Sequence, residues 1–544
     1  MSLVVFNSMT REKEVFQPRA EGKVGMYVCG VTVYDYSHIG HARCYVAFDV
    51  IRRWLMEKFE VRYVQNFTDV DDKIIRRANE SGEDPIELAS RFADEFHRDM
   101  DDLGVLRPDV EPRVSTHMAE IIAFTQNLID KGFAYRVASS SAVAGAGDDV
   151  YFRVRKFGDR YTQLSGRNLD DMVAGARVNV DERKEDPLDF ALWKSAKPDE
   201  PFWESPFGKG RPGWHIECSA MSESHLGPTF DIHGGGKDLV FPHHTNEVAQ
   251  SECCHDGEIY ARYWMHNGFV DFAGEKMSKS LGNFFTIREV TRLYHPEALR
   301  FFLLTAQYRS PLNFDVESRC PDCDGVVSPD EQSRLKHDAC GHELDRDALR
   351  GRVRFPGLEE AERRVQYLYE TRRRVQRYLA TNEAREGDGL QAVFSKAEAP
   401  FVPWSDFKNA MDEDFSTPAA LAAFVELLKV ANLMVDAKEK EMIGRKLKPA
   451  DRARLLAEWQ EHVSDIGRIL GLGLREPEIV LEEQRSRRLS LLGIDRAEVE
   501  SLLDARKAAR AQKDFAAADA ARDELTRLGI VVRDLADGVE WSVG

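Results

Sequence analysis

The stretch DLVFPHHTNEVAQSE, residues 238–252, contains a histidine and a glutamate at a spacing that suits metal binding. His243 and Glu247 are four residues apart, about one helical turn, so on a helix beginning after Pro242 their side chains share a face. An imidazole and a carboxylate in this position can bind one cation. They can equally form a hydrogen-bonded pair on an exposed helix, where such pairs are common. Local spacing therefore leaves both interpretations open.

The motif HIGHAR, residues 38–43, has the composition of a nucleotide-binding turn. Gly40 allows a nucleotide to approach the backbone closely. His38 and His41 can donate hydrogen bonds to phosphate oxygens at the N-terminus of a helix. The motif predicts phosphate binding, although an isolated H-x-x-H pattern would be weak evidence.

A second motif, GEKMSKSLGN at residues 274–283, places Lys276 and Lys279 between two glycines. Two lysines on a loop with glycine hinges can close over a triphosphate and stabilise the charge that develops on its leaving pyrophosphate. An ordinary lysine-rich surface loop is the alternative for this motif alone. Its presence in one chain with HIGHAR favours the nucleotide interpretation.

A segment rich in cysteine and histidine, residues 319–342, has the spacing of a further metal site. A C-x-x-C pair is followed, after a longer spacer, by an H-x-x-C pair, which is plausible for a structural Cys₃His zinc site. The four candidate ligands are Cys320, Cys323, His337 and Cys340. His342 can replace His337 in this set. The alternative is a loop with unrelated cysteines.

The N-terminal part of the chain predicts a scaffold for these motifs. Residues 26–34 indicate a buried strand that enters a glycine-containing turn, residues 41–59 have helical spacing of apolar side chains, and residues 60–72 indicate a second strand. Strand, helix and strand in this order form a βαβ unit with a parallel sheet. Ligands of such sheets bind at the carboxyl ends of the strands, where HIGHAR begins.

Changes of pattern along the chain predict six segments. A small-residue loop at 138–149 interrupts the α/β pattern, and charged amphipathic helices dominate after residue 353. The predicted segments are the first half of a parallel-sheet catalytic domain (1–114), an inserted connective subdomain (115–212), the second half with the lysine loop (213–318), a candidate zinc-knuckle insertion (319–352), a helical bundle (353–479) and a small C-terminal module (480–544).

Composition restricts the class of protein. The 544 residues suffice for several domains, and 43% hydrophobic residues allow ordinary cores. The net charge of −18 argues against a protein that coats nucleic acid through bulk positive charge, although the arginine-rich stretches 371–378 and 484–490 can form local basic faces or simply be solvated. Eight sparse cysteines suit thiols or metal ligands, and no apolar stretch reaches bilayer length. We expect a cytoplasmic protein.

HIGH followed by KMSKS resembles the class I aminoacyl-tRNA synthetases. Other blocks narrow the resemblance to the cysteinyl-tRNA synthetases: YVCGVTVYDYSHIGHAR, NFTDVDDKIIRRANE, RPGWHIECSAM, DIHGGGKDLVFPHHTNEVAQSE, MHNGFV and MDEDFSTPAAL occur in the expected order. The C-terminal KDFAAADAARDEL resembles the anticodon-binding end of that family. The resemblance covers nearly the whole chain outside residues 319–352.

The resemblance implies a Rossmann-like α/β catalytic domain with an inserted subdomain, a helical bundle and an α+β anticodon-binding module. It also implies an active-site zinc ion with the ligands Cys29, Cys218, His243 and Glu247. Two thiolates, an imidazole and a carboxylate are a chemically plausible zinc set. His244 would then support the ligands. Cys44, Cys253 and Cys254 are expected to be core residues.

The implied activity is ATP-dependent ligation of L-cysteine to tRNA(Cys) through a cysteinyl-adenylate. Zinc would bind the substrate thiolate and select cysteine over serine, without generating a hydroxide nucleophile. Mg²⁺ would accompany ATP. The transition state would be stabilised by His38, His41, Lys276 and Lys279. The enzyme would be a monomer.

Three residues occupy positions that the resemblance assigns to substrate binding. Gly30 and Thr68 would line the pocket, together with Trp214, which lies four residues before Cys218. Trp214 can equally be a core aromatic.

Two other functions fit parts of the sequence. One is a cysteine ligase of the mycothiol type, which transfers activated cysteine to a small amine and resembles a synthetase without the anticodon end. The other is a non-catalytic RNA-binding paralogue. The 480–544 module argues against the first, and the intact HIGH and KMSKS motifs argue against the second.

Overall fold

The computed structural model describes most of the chain. The described residues are 2–139, 141, 143–167, 183–272, 275–276, 285–320, 323, 325–328, 336–341, 343, 353–394, 403–535 and 538–543. They form two compact units. The N-terminal unit comprises Met1–Ile287, Leu303–Asn313 and Ser405–Leu421, and the C-terminal unit comprises Arg288–Phe302, Phe314–Trp404 and Ala422–Gly544.

The strands are short. In chain order they are β1 (Val4–Asn7), β2 (Glu12–Val15), β3 (Lys23–Val28), β4 (Glu60–Gln65), β5 (Ala134–Val137), β6 (Asp149–Phe152), β7 (Phe190–Ser195), β8 (Gly210–Pro212), β9 (Phe230–Gly236), β10 (Ala261–Asn267), β11 (Val270–Phe272), β12 (Glu275–Lys276), β13 (Leu312–Asn313), β14 (Glu317–Arg319), β15 (Val326–Val327), β16 (Val353–Arg354), β17 (Ile530–Leu535) and β18 (Gly538–Val543).

The helices dominate the second half of the chain. In order they are α1 (Ile39–Met56), α2 (Asp72–Ser81), α3 (Pro85–Asp102), α4 (Met118–Asp130), α5 (Val154–Phe157), α6 (Trp214–Leu226), α7 (Thr245–Cys254), α8 (Ile287–Leu293), α9 (Pro296–Leu303), α10 (Pro356–Thr381), α11 (Leu390–Phe394), α12 (Pro403–Asp412), α13 (Thr417–Val435), α14 (Lys440–Ile443), α15 (Pro449–Leu470), α16 (Pro477–Leu492), α17 (Arg496–Ala511) and α18 (Phe515–Arg527).

A four-stranded parallel sheet forms the centre of the N-terminal unit. Its strand order is β10-β9-β3-β4, and every neighbouring pair is parallel. The helix α1 connects β3 to β4, so the predicted βαβ unit is confirmed. The first strand of this unit ends at Val28, earlier than predicted, and just beyond it Gly30 approaches the backbone of Asn66 closely.

An antiparallel sheet, β5-β6-β7-β8, lies within the segment predicted to be inserted. Its buried side chains form one apolar cluster with residues of α4, α6 and α7. Large aromatic residues contribute much of this cluster, including Phe152, Trp193 and Phe207, which are all at most 1% exposed. The cluster stabilises the helices that carry Cys218 and Glu247.

Asp414 links three distant segments of the N-terminal unit. This buried carboxylate accepts hydrogen bonds from the backbone N–H of Phe6 at 2.9 Å, the hydroxyl of Tyr308 at 3.1 Å and Nε of Arg309 at 2.7 Å. Its φ of 54° lies in the left-handed region, which aspartate tolerates better than most side chains. The short segment around residue 414 is therefore part of the N-terminal unit, although the strands of the central sheet all lie within residues 23–267.

The C-terminal unit is mainly helical, as predicted. Among the described helices, α13 alone is long and apolar enough, by length and composition, to cross a membrane. Glu426 and Lys429 interrupt its apolar sequence, and the indole N–H of Trp459 donates to the carbonyl of Leu427 at 2.7 Å. Leu427 is buried, which is the behaviour of a core helix.

The C-terminal end of the chain is an α+β element. The helices α17 and α18 pack with the antiparallel hairpin β17–β18 around a small apolar core that includes Val499, Leu525 and Ile530. The guanidinium of Arg506 donates to both carboxylate oxygens of Asp534 at 2.8 Å. This bidentate pair fixes the hairpin on α17.

Candidate active site

A cavity of about 400 Å³ opens at the carboxyl ends of the parallel strands. It lies where doubly wound sheets bind ligands. The lining includes Cys29, His38, His41, Thr68, Trp214 and Cys218. Residues from the metal prediction and from the phosphate prediction therefore face one space.

Four metal-binding side chains meet beside this cavity. One ligand atom from each of Cys29, Cys218, His243 and Glu247 lies within 4.8 Å of the other three, and all four residues are buried. The two Sγ atoms are 3.7 Å apart, and Nε2 of His243 is 3.1 Å from Oε1 of Glu247. The structure brings the four residues together from positions up to 218 residues apart.

Each ligand is positioned by the start or end of a regular element. Cys29 directly follows β3, and Cys218 lies in the second turn of α6. Glu247 lies in the first turn of α7. His243 lies in the turn Val240–His244 that precedes α7, two residues before the helix begins. The α-helix thus begins at Thr245 and not directly after Pro242 as predicted, but the side chains of His243 and Glu247 meet as expected.

Burial controls the charge of this cluster. It raises the pKa of the Cys29 thiol well above its usual value, and it lowers the pKa of His243 to about 3. Burial alone would also raise the pKa of Glu247, but His233 and His243 hold it below its ordinary value. The imidazole of His243 is therefore neutral, as metal binding requires, while the thiols need a cation to become thiolates.

The donor set fits a zinc ion. Two sulfurs, one nitrogen and one carboxylate oxygen are zinc ligands, and a buried group of this kind is more stable around a cation than alone. A second combination, Cys29, His233, His244 and Glu247, also has its atoms within 4.8 Å. In this combination His233 already hydrogen-bonds the other Glu247 oxygen, and only one sulfur is present. The first set is the better match.

A network of histidines surrounds the candidate ligands, and the sequence did not reveal most of it. Nε2 of His233 lies 2.9 Å from Oε2 of Glu247, and the Tyr260 hydroxyl donates to the same oxygen at 3.2 Å. His244 lies 3.3 Å from the Cys29 sulfur through Nε2 and 2.8 Å from His266 through Nδ1. His244 thus has the contacts of a supporting residue.

The HIGH motif begins α1 as predicted. His38 is the N-cap residue, and its Nδ1 accepts a hydrogen bond from the backbone N–H of His41 at 3.3 Å. Nδ1 of His41 accepts from the backbone N–H of His38 at 3.3 Å, and the two rings stack at 3.6 Å. Because both Nδ1 atoms accept, both neutral rings carry their proton on Nε2. Each ring is therefore a donor at the N-terminus of a helix.

The three pocket residues predicted with the zinc site all line the cavity. Trp214 is 37% exposed, which does not fit a core aromatic, and it stacks on the His243 ring at 4.2 Å. Thr68 is buried and donates to Oε2 of Glu217 at 3.1 Å. Gly30 donates its N–H to the Asn66 side chain at 2.9 Å.

The remaining predicted residues lie elsewhere. Lys279 and the side chain of Lys276 fall outside the described residues, as does His342. The four ligands of the second predicted metal site are brought within 4.8 Å of one another, in the C-terminal unit. Cys44, Cys253 and Cys254 are buried, as expected of core residues.

Three family models match the chain. Residues 15–319 match the class I (C) tRNA synthetase catalytic domain, residues 406–475 match the DALR domain, and residues 496–541 match the cysteinyl-tRNA ligase anticodon-binding domain. The fold also resembles the Mycobacterium tuberculosis methionyl-tRNA synthetase in complex with methionyl-adenylate, at a TM-score of 0.51 and 16% identity, covering 88% of this chain and 95% of that one. Fold and site define a class I aminoacyl-tRNA synthetase.

Full-length relatives are more specific. The chain is 50% identical over 548 residues to the cysteine–tRNA ligase of Anaeromyxobacter dehalogenans strain 2CP-C, with 100% of each chain covered. It is 45% identical over 540 residues to that of Oleidesulfovibrio alaskensis, with 99% of each covered. The chain belongs to the cysteine–tRNA ligase family. The resemblance seen in the sequence blocks is therefore confirmed.

Proposed function

We propose that this enzyme joins L-cysteine to tRNA(Cys) in two ATP-dependent steps. In the first, the cysteine carboxylate attacks the α-phosphate of ATP, which forms cysteinyl-adenylate and releases pyrophosphate. In the second, the cysteinyl group passes to the terminal adenosine of the tRNA, on its 2′-hydroxyl in the class I pattern. The observation that carries the proposal is a single cavity lined by both the sulfur-rich cluster and the HIGH histidines.

We propose that Cys29, Cys218, His243 and Glu247 hold a zinc ion that selects the substrate. The chemistry that zinc supplies in such a site is Lewis-acid binding of a thiolate, which a serine hydroxyl cannot match at neutral pH. An apolar pocket alone separates such near-isosteres by only about 10²-fold. Trp214 stacks on His243 and lines the cavity. Gly30 and Thr68 line the same cavity.

The HIGH histidines bind and orient the nucleotide. Both residues line the cavity at the N-terminus of α1, where the helix dipole adds to the attraction for phosphate. Gly40, between them, keeps this surface free of a side chain. His38 and His41 thereby hold the phosphates in line for attack, and Lys276 and Lys279 act with Mg²⁺ on the developing pyrophosphate charge.

The C-terminal unit supplies the partner tRNA(Cys) with its binding surface. The match of residues 496–541 to an anticodon-binding domain supports this role, and it disfavours a ligase of the mycothiol type. Arginines of α10 and α16, together with Trp541, line a further cavity in this unit. We infer a monomer that acts in the cytoplasm, where its eight cysteines, none of them in a disulfide, remain reduced.

Cysteine-dependent pyrophosphate exchange tests the selection step. Replacing Cys218 with serine removes one sulfur from the cluster, so exchange with cysteine should fall to background. Cys253→Ala is the matched control, because Cys253 is equally buried but lies outside the cluster, and it should retain exchange.

Two results would contradict the proposal. One is undiminished exchange by Cys218→Ser protein that has lost the zinc ion of this cluster. The other is wild-type enzyme that activates serine nearly as well as cysteine in the same assay. Acylation of tRNA(Cys), dependent on cysteine and ATP, tests the second step and separates this function from a non-catalytic paralogue.

A further inference from the structure

The segment between the catalytic match and the DALR match contains two sharp turns, each with a pair of donors. The strand β14 pairs antiparallel with β15 and with β16, so Cys320 and Cys323 lie in the turn of a small hairpin. The backbone N–H of Cys320 donates to the carbonyl of Gly325 at 2.9 Å, which closes this turn. The catalytic-domain match ends at residue 319 and the DALR match begins at residue 406.

The second turn repeats the arrangement. Lys336 and Glu343 form an antiparallel bridge, and His337 and Cys340 lie between them. The N–H of Gly341 donates to the carbonyl of His337 at 2.8 Å. Each turn therefore presents two ligand atoms three residues apart, which is the spacing of a zinc knuckle.

The two turns face each other through their donor atoms. The sulfur of Cys340 lies 3.6 Å from that of Cys320 and 3.3 Å from Nδ1 of His337, and Nδ1 of His337 lies 3.4 Å from the sulfur of Cys323. Cys320 is 0% exposed and His337 is 2% exposed. Three sulfurs and one ring nitrogen thus point at one volume.

Gly325 shows how closely the first turn approaches this volume. A Cβ atom at this position would lie 2.8 Å from Cε1 of His337 and 3.3 Å from the sulfur of Cys323. A side chain at this position would force the His337 ring to shift. The turn is therefore shaped around the donor group.

We propose that Cys320, Cys323, His337 and Cys340 bind a second zinc ion, which has a structural role. Four protein donors can fill a tetrahedral sphere, and none of these four lines the cavity that is proposed to bind the substrate, so this zinc ion would have no substrate to bind. The set of three thiolates and one imidazole favours zinc over the hard cations Mg²⁺ and Ca²⁺. A Cys320–Cys340 disulfide is the competing chemistry, but a separation of 3.6 Å is well beyond an S–S bond of about 2.05 Å, and it gives the buried His337 no role.

The zinc content of the full-length enzyme tests this proposal. Wild-type protein, saturated with zinc and freed of excess by gel filtration, should contain two zinc ions per chain. The double variant Cys323→Ser/Cys340→Ser should contain one and should retain pyrophosphate exchange with cysteine. Cys218→Ser should also contain one but lose exchange. The control Cys253→Ala should contain two.

A conservative variant protects the test against simple misfolding. His337→Cys converts the site to four cysteines, so it should keep two zinc ions, whereas His337→Ala should lose one. With cobalt in place of zinc, the thiolate-to-metal absorption should fall in the double variant and persist in His337→Cys.

Three results would overturn the proposal. The first is one zinc per chain in saturated wild-type protein, and the second is unchanged zinc content in the double variant. The third is two fewer reactive thiols in denatured wild-type protein without reductant than in the same protein after reduction, which would reveal a disulfide. Because pyrophosphate exchange is scored separately, failure of this site is distinguishable from failure of the proposed activity.

Discussion

Replacing Gly30 with alanine should damage the active site more than its small size suggests. An added Cβ would lie 1.5 Å from the backbone carbonyl oxygen of Asn66, whereas real Cβ contacts essentially never fall below 3.0 Å. The ends of β3 and β4 would therefore have to separate by about 1.5 Å. The Asn66 carbonyl is backbone and cannot rotate away as a side chain could.

The displacement falls directly on the substrate pocket. Gly30 is adjacent to the candidate ligand Cys29, and both residues line the cavity with Asn66. A misplacement of about 1 Å at a reacting centre costs about 10²-fold in rate. We therefore expect kcat/KM for cysteine to fall by about two orders of magnitude, together with about 1–3 kcal/mol of stability from overpacking.

Gly25 provides a matched control on the same strand. A Cβ there would meet its nearest atoms, in Leu226 and Phe230, at 3.5 Å, which is ordinary contact. Gly25→Ala should therefore keep kcat/KM within about threefold of the wild-type value, because a tolerated substitution usually changes the free energy by about 0.5 kcal/mol or less. Both variants would be assayed by cysteine-dependent pyrophosphate exchange and by thermal unfolding. Equal activity of Gly30→Ala and Gly25→Ala would refute the close-approach argument.

Two further variants test the stacking and the electrostatics of the N-terminal unit. Trp214→Ala removes the stack on His243, which is worth about 0.5–1.5 kcal/mol. The KM for cysteine should therefore rise about 2–10-fold in this variant, whereas the KM of Trp214→Phe should stay near that of the wild type. An unchanged KM in Trp214→Ala would contradict this role of the stack. Burial raises the pKa of Glu252 from 4.5 to about 7. Because the folded pKa exceeds the unfolded one, wild-type protein loses stability as pH rises from about 4.5 to 7, and Glu252→Gln does not. The melting temperature of Glu252→Gln relative to wild type should therefore rise between pH 5 and pH 8, and a difference independent of pH would count against the assignment.

Local patterns predicted the parts of the site that depend on short-range geometry. The spacing of His243 and Glu247 indicated side chains in contact across one turn, and the HIGH motif indicated a helix N-terminus; the contact and the helix N-terminus are both present. The C-x-x-C and H-x-x-C pairs likewise predicted two donor turns. In each case the contact is set by one turn of backbone, which the sequence displays directly.

Long-range contacts were not accessible from these patterns. Cys29 and Cys218 meet only because β3 and α6 pack around the same sheet, and their pairing came from family resemblance. His233 lies within the buried strand β9, where nothing in the segment FDIHGGG distinguishes a ligand-supporting histidine from a core residue. Its role depends on Glu247 in α7 and Tyr260 before β10. Such partners appear only once the tertiary structure is known.

The position of Asp414 also affects when the N-terminal unit can form. Its carboxylate joins Phe6 to the segment around Tyr308, yet the ribosome synthesises it about one hundred residues after the catalytic match ends at residue 319. A nascent chain that stops before this point lacks one of the groups that hold its first strand, which also pairs with β2. Domains usually fold as units as they are translated. Here the hydrogen bonds of Asp414 can complete the N-terminal unit only after residues 353–413 of the helical half have been synthesised.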